Sequence, residues 1–150
     1  MFEHKNNYIV RKNGNYFEFE EERNQDLMRV YRKEIAACEV IRINDIWKRM
    51  AEMPASRFWV SEERAAVVVA QIARGEKLLE MLPSKREMFH EIYNRVMAIR
   101  QHSPHLSIYR CCIHVVNSPA PKFYMTPLSI RETIYKIKRQ WYRQRQQQKQ

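Results

Sequence analysis

Glycine is nearly absent: Gly14 and Gly75 are the only two in 150 residues, where average usage of roughly 7% would supply about ten. Two glycines so widely separated cannot write a G-x-G-x-x-G dinucleotide turn, a P-loop or a nucleophile elbow. An all-β sandwich or barrel, whose turns need positive φ at many positions, is equally disfavoured. Cysteine is scarce and poorly placed for disulfides, since Cys38, Cys111 and Cys112 are odd in number and two are adjacent. Long apolar runs are missing too. The longest, Ala65–Ala70, is far short of the roughly 20 residues that a membrane span needs. The opening MFEHKNNYIV lacks the apolar centre of a secretory signal, which predicts a cytoplasmic protein without membrane contact.

Acid is what the C-terminal part lacks. Residues 1–91 hold 16 Lys+Arg and 16 Asp+Glu, whereas residues 92–150 hold 11 Lys+Arg and only Glu132. The whole net charge of +10 therefore falls between positions 92 and 150. Charge so distributed points to a polyanionic partner, nucleic acid before a membrane surface, with a merely solubilising basic tail as the alternative.

Apolar material is ample, at 45% of the chain, so a folded protein is expected. Residues 8–19, YIVRKNGNYFEF, read as a β-hairpin about Asn13-Gly14, giving an N-terminal segment 1–19. Helical periodicity follows over about 20–39, 43–53, 62–74, 84–101, 106–117 and 127–143. Gly75 closes the third of these, and Ser84 with Glu87 spells a capping box at the start of the fourth. The last stretch, 144–150, is a glutamine-rich basic segment that composition gives as a flexible tail.

Two segments repeat. INDIWKRMAEMPASRFWVSEERAAVVVAQI from Ile43 lies over IYRCCIHVVNSPAPKFYMTPLSIRETIYKI from Ile108. Ile43/Ile108, Pro54/Pro119, Ala55/Ala120, Phe58/Phe123 and Ile72/Ile137 are identical, and Arg57/Lys122, Trp59/Tyr124, Ser61/Thr126 and Val69/Ile134 keep their chemistry. The pattern Pro-Ala-x-basic-Phe-aromatic-x-hydroxyl marks a tandem duplication of a three-helix unit. Copies at 20–75 and 84–143 would share one core.

The repeat also assigns roles. Pro54 and Pro119 stop the second helix of each copy, Ser61 and Thr126 cap the third, and Phe58 and Phe123 bury beneath the linker. Cys111 and Cys112 lie over Ile46 and Trp47, so they read as buried thiols. In the second copy's third helix Ile130, Ile134, Ile137 and Trp141 form one apolar stripe. Arg131, Tyr135, Lys138 and Tyr142 line its flank, with Lys136, Arg139 and Arg143 beyond. Interleaved bases and aromatics on a helix suit contact with nucleic-acid phosphates.

Three short helices, the third basic and entered through a hydroxyl cap, resemble helix-turn-helix DNA-binding domains. The link between second and third helices is about eight residues, against three or four in the usual motif. On MPASRFWVSEERA and SPAPKFYMTP the chain, from about Asp26 to Trp141, also resembles an uncharacterised family of small proteins of gut Bacteroidetes and their phages. That resemblance implies a mobile-element or phage setting and attaches no activity to individual residues.

Catalysis and metal binding find little support. Cys111 and His114 suggest a Cys–His pair, but the repeat buries Cys111 and no glycine-built oxyanion loop accompanies it. His102, His105, Cys111, Cys112 and His114 crowd together without C-x₂-C or H-x₃-H spacing. The sequence therefore predicts no enzyme, no metal, no cofactor and no small-molecule substrate. It predicts a mainly α, tandem helix-turn-helix-like DNA-binding protein of regulatory or accessory type, with DNA favoured over RNA. Expected contacts are Lys122, Tyr124, Arg131, Tyr135, Lys138, Arg139, Tyr142, Arg143, Arg145 and Arg57. The alternatives are a homo-oligomeric assembly component, such as a small phage-packaging subunit of the small-terminase type, and a module binding an acidic protein.

Overall fold

A computed structural model describes residues 19–149, which are mainly α-helical. Six helices follow one another among the described residues: α1 (Glu20–Ala37), α2 (Ile43–Ala51), α3 (Glu62–Ala73), α4 (Pro83–His102), α5 (Ile108–Val116) and α6 (Pro127–Gln148). The hairpin expected over 8–19 lies, except for Phe19, outside the described residues.

Local chemistry explains most of the helix ends. Ser61 and Thr126 cap α3 and α6, each side-chain oxygen accepting an N–H three residues on, from Arg64 and Ser129. Ser107 does the same for α5 with the N–H of Arg110. Each such cap is worth about 1 kcal/mol. Gly75, at φ +94, supplies the left-handed turn that ends α3. The Ser84–Glu87 capping box does not form: Pro83 takes the first helical position of α4 and no side chain caps it. Glu87 pairs instead with Lys122 at 2.8 Å. The segment expected to be a flexible tail is helical as far as Gln148.

The sequence repeat reappears in the helix boundaries. α5 begins and ends where the alignment of Ile108 on Ile43 maps α2, and α6 begins where it maps α3. The packing, however, groups the helices across the copies. α3, α4 and α5 pack together, and so do α1, α2 and α6. The compact units accordingly run over residues 54–124 and over 20–53 with the chain from Met125 onward. They do not follow the contiguous division 20–75 and 84–143. Each copy gives its third helix to the first two helices of the other.

Each unit has its own core. In the 54–124 unit, Phe58, Val68, Val69, Ile92, Val96 and Cys112 are among the buried side chains. The two linkers meet there: Ala55 and Ala120, equivalent residues of the two copies, exchange both backbone hydrogen bonds at 3.1 Å. Phe58 lies below this crossing, its N–H donating to the Val116 carbonyl, with Tyr124 stacked on its ring at 6.1 Å. In the other unit, Leu27 and Val30 of α1, Ile46 and Met50 of α2, and Ile130 and Ile134 of α6 close the core. A fully buried side chain of this size contributes about 1.5–3 kcal/mol. Among the described residues no helix is long and apolar enough to cross a membrane.

Candidate nucleic-acid interface

α6 is the third helix of its copy, and one face of it is fixed. Ile130, Ile134 and Ile137 recur at helical spacing and are buried against α1 and α2. That anchorage determines where every other side chain of α6 points. Arg131, Lys138 and Arg145 recur at heptad spacing and are exposed. A heptad is nearly two helical turns, with a drift of about 20°, so the three bases form a row along one flank. Successive members are roughly 10.5 Å apart along the axis. Tyr135 and Tyr142 sit between them at helical spacing. The equivalent positions of α3 are Ala66, Ala70 and Ala73, against Arg131, Tyr135 and Lys138 in α6. The same face is bare in one copy and charged in the other.

Aromatic rings hold the inner part of this row. The Arg131 guanidinium lies 5.6 Å from the Tyr135 ring centroid. Tyr135 in turn meets Trp47 of α2 edge-on at 5.6 Å, and Trp47 stacks on Tyr31 of α1 at 5.8 Å. Lys138 completes the set, its ammonium 4.4 Å above the Tyr31 ring and donating to the Tyr31 hydroxyl at 2.6 Å. These contacts restrict two long side chains that would otherwise lose entropy on binding a partner. Arg32 of α1 lies over Trp141 at 5.2 Å and is exposed, adding a base from outside the repeat. Its periodicity in α1 is that of an ordinary solvated face, so the sequence carries no signal for it.

No carboxylate among the described residues is within ion-pair distance of Arg131, Lys138, Arg139, Arg143 or Arg145, all exposed. Lys136, by contrast, lies 3.9 Å from Glu20. The only acid in α6 is Glu132, against six Lys+Arg. Tyr142 is 65% exposed.

The remaining expected contacts are elsewhere. Arg57 is half-buried and ties the linker together, donating to the carbonyls of Phe58 and Val60 and to Asn117 Oδ1. It also packs on the Phe19 and Trp59 rings at 4.5 and 5.4 Å. Lys122 is engaged by Glu87 and lies over the Tyr124 ring. Tyr124 itself is buried, at 9% exposure, with left-handed backbone at φ +58. Burial, with the Glu91 and Glu87 carboxylates nearby, pushes its phenol up to about 12. Arg57, Lys122 and Tyr124 thus build the linker crossing in the 54–124 unit. Arg131, Tyr135, Lys138, Arg139, Tyr142, Arg143 and Arg145 all belong to α6.

Cys111 and Cys112 are buried, and burial raises the Cys112 thiol to about 11, with Cys111 adding to the shift. Among the described residues no three His, Cys, Asp or Glu side chains converge as a metal site. No protein-family model, curated protein or solved structure matches the chain.

Proposed function

We propose that the protein binds DNA through α6, in a regulatory or accessory role, holding phosphates with Arg131, Lys138, Arg139, Arg143 and Arg145. The supporting observation is the row on α6: exposed bases at heptad spacing, without carboxylate partners among the described residues, with alanines in the other copy at the positions of Arg131 and Lys138. Arg57, Lys122 and Tyr124 are left out of the interface because their side chains are committed to the linkers. In this reading α1, α2 and α6 act as a helix-turn-helix-like group, with α6 as the presented helix, and one copy supplies structure while the other supplies charge. The mobile-element setting implied by the sequence resemblance agrees with such a role. Arg131→Glu, Lys138→Glu and Arg139→Glu together should abolish the shift of a duplex DNA probe at about 150 mM salt, where phosphate contacts still dominate binding, while leaving the helical circular dichroism unchanged. A folded triple variant that still shifts the probe would refute the proposal.

A second reading has an observation of its own. Val67, Tyr109 and Ile113, on α3 and α5, are 53%, 45% and 39% exposed. Exposed apolar groups on packed helices suit a contact between subunits, as in an oligomeric packaging component. Light scattering distinguishes the two: a monomer or dimer fits the regulator, a ring of many subunits the packaging component.

A further inference from the structure

α6 is longer than its packing requires. Its buried residues end at Ile137 and Trp141 is half-buried, yet the helix continues to Gln148. Every residue from Tyr142 to Lys149 is exposed. About 10 Å of helix therefore has no apolar face and, among the described residues, no neighbouring helix to pack on. A segment so short and polar does not hold a helix on its own; the packed turns before it template it. Its sequence, YRQRQQQK, carries three cations and no carboxylate.

The chemistry of this segment selects among occupants. A groove on a protein reads an amphipathic helix through apolar anchors at i, i+3, i+4 and i+7, and only Tyr142 is of that kind here. A second copy would bring like charge against like. A helix with its side chains is about 10–12 Å across, which fits the major groove of B-DNA at about 12 Å and not the minor groove at about 6 Å. Arginine reads guanine O6 and N7 with two donors, and glutamine pairs in the same way with adenine. The exposed turns consist almost wholly of these two residue types.

We infer that residues 142–149 enter the major groove of duplex DNA and contact base edges, while Arg131, Lys138 and Arg139 hold the flanking phosphates. This inference rests on the DNA-binding reading above and refines it: the C-terminal end of α6 enters the groove, so Arg143 and Arg145 meet base edges rather than phosphates. The presented end is the C-terminal one, the opposite of the usual helix-turn-helix arrangement, in which N-terminal residues of the recognition helix meet the bases.

Fluorescence anisotropy with three duplex probes tests it. One is a random-sequence duplex, the second is the same duplex with every cytosine replaced by glucosylated 5-hydroxymethylcytosine, and the third is the first duplex saturated with netropsin. Glucose fills the major groove, whereas netropsin fills the minor. The full chain should bind the glucosylated duplex about tenfold or more weakly and lose less than about twofold to netropsin. An R143A/R145A variant, which keeps the helix and its length, should bind more weakly and lose part of its preference for the plain over the glucosylated duplex. Equal affinity for plain and glucosylated duplex would overturn the inference and leave phosphate binding intact. Absence of binding to any duplex would overturn both, and so would tighter binding to single-stranded RNA or to polyglutamate than to duplex.

Discussion

Tyr124 and Tyr142 are both aromatic residues set among bases in the second copy, yet only one can touch a partner. Tyr142 stands on the open flank of α6, whereas Tyr124 is buried against Phe58 at the linker crossing. The difference follows from the backbone: Tyr124 sits at φ +58, turning its ring under the linker, and neither composition nor periodicity specifies that angle. Burial has a measurable consequence. The folded state raises Cys112 to about 11 and Tyr124 to about 12, so the unfolded chain releases these protons at lower pH than the folded one. Stability contributed by the neutral forms is complete below the unfolded values. It should decline from about pH 9 upward, through pH 12. Urea midpoints measured across this range should fall, and Tyr124→Phe should flatten the upper part of the fall; a slope unaffected by the substitution would contradict the assigned burial. Thiol labelling offers a second check at this scale. Cys38, half-buried, should react first, with Cys111 and Cys112 protected until unfolding, and equal rates for all three would contradict it.

At the scale of elements, much was legible and one arrangement was not. The hydroxyl caps at Ser61 and Thr126, the glycine after α3 and the buried isoleucine stripe of α6 are local, and residue spacing specifies them. The exchange of third helices is different. Because the copies are similar, α3 and α6 present comparable apolar faces, Ala65/Val69 against Ile130/Ile134. Either helix satisfies the periodicity of either docking site. Volume and the path of the linkers decide between them, and a linear pattern encodes neither. The extension of α6 past Trp141 was hidden for a related reason: a glutamine-rich run has no apolar period to read. The exchange predicts how a truncation behaves. Ending the chain at Met125 removes α6 and should expose the amides of α1 and α2 to hydrogen exchange while α3, α4 and α5 stay protected. Loss of protection in α4 and α5 instead would mean that third helices pack within their own copies. At the crossing, Phe58→Ala should cost about 3–5 kcal/mol in denaturant unfolding, more than removal of the Ser61 or Thr126 cap at about 1 kcal/mol each.

For the whole molecule, the exchange relocates the charge. Along the chain, all of the +10 falls between positions 92 and 150. In space, residues 54–124 carry 10 Lys+Arg against 6 Asp+Glu, and residues 20–53 with 125–150 carry 14 against 9. The two units are therefore similarly basic, and the asymmetry belongs to one helix, α6, rather than to either unit. A polyanion attracted to this protein should be held along that helix. The measurement that tests this most directly is the salt dependence of duplex DNA binding by the intact chain. Five cations brought to the duplex by α6, Arg131, Lys138, Arg139, Arg143 and Arg145, each neutralising about one phosphate charge, predict a log–log slope of about −4 to −5. A slope near zero, or no binding at about 50 mM salt, where such contacts are strongest, would contradict it.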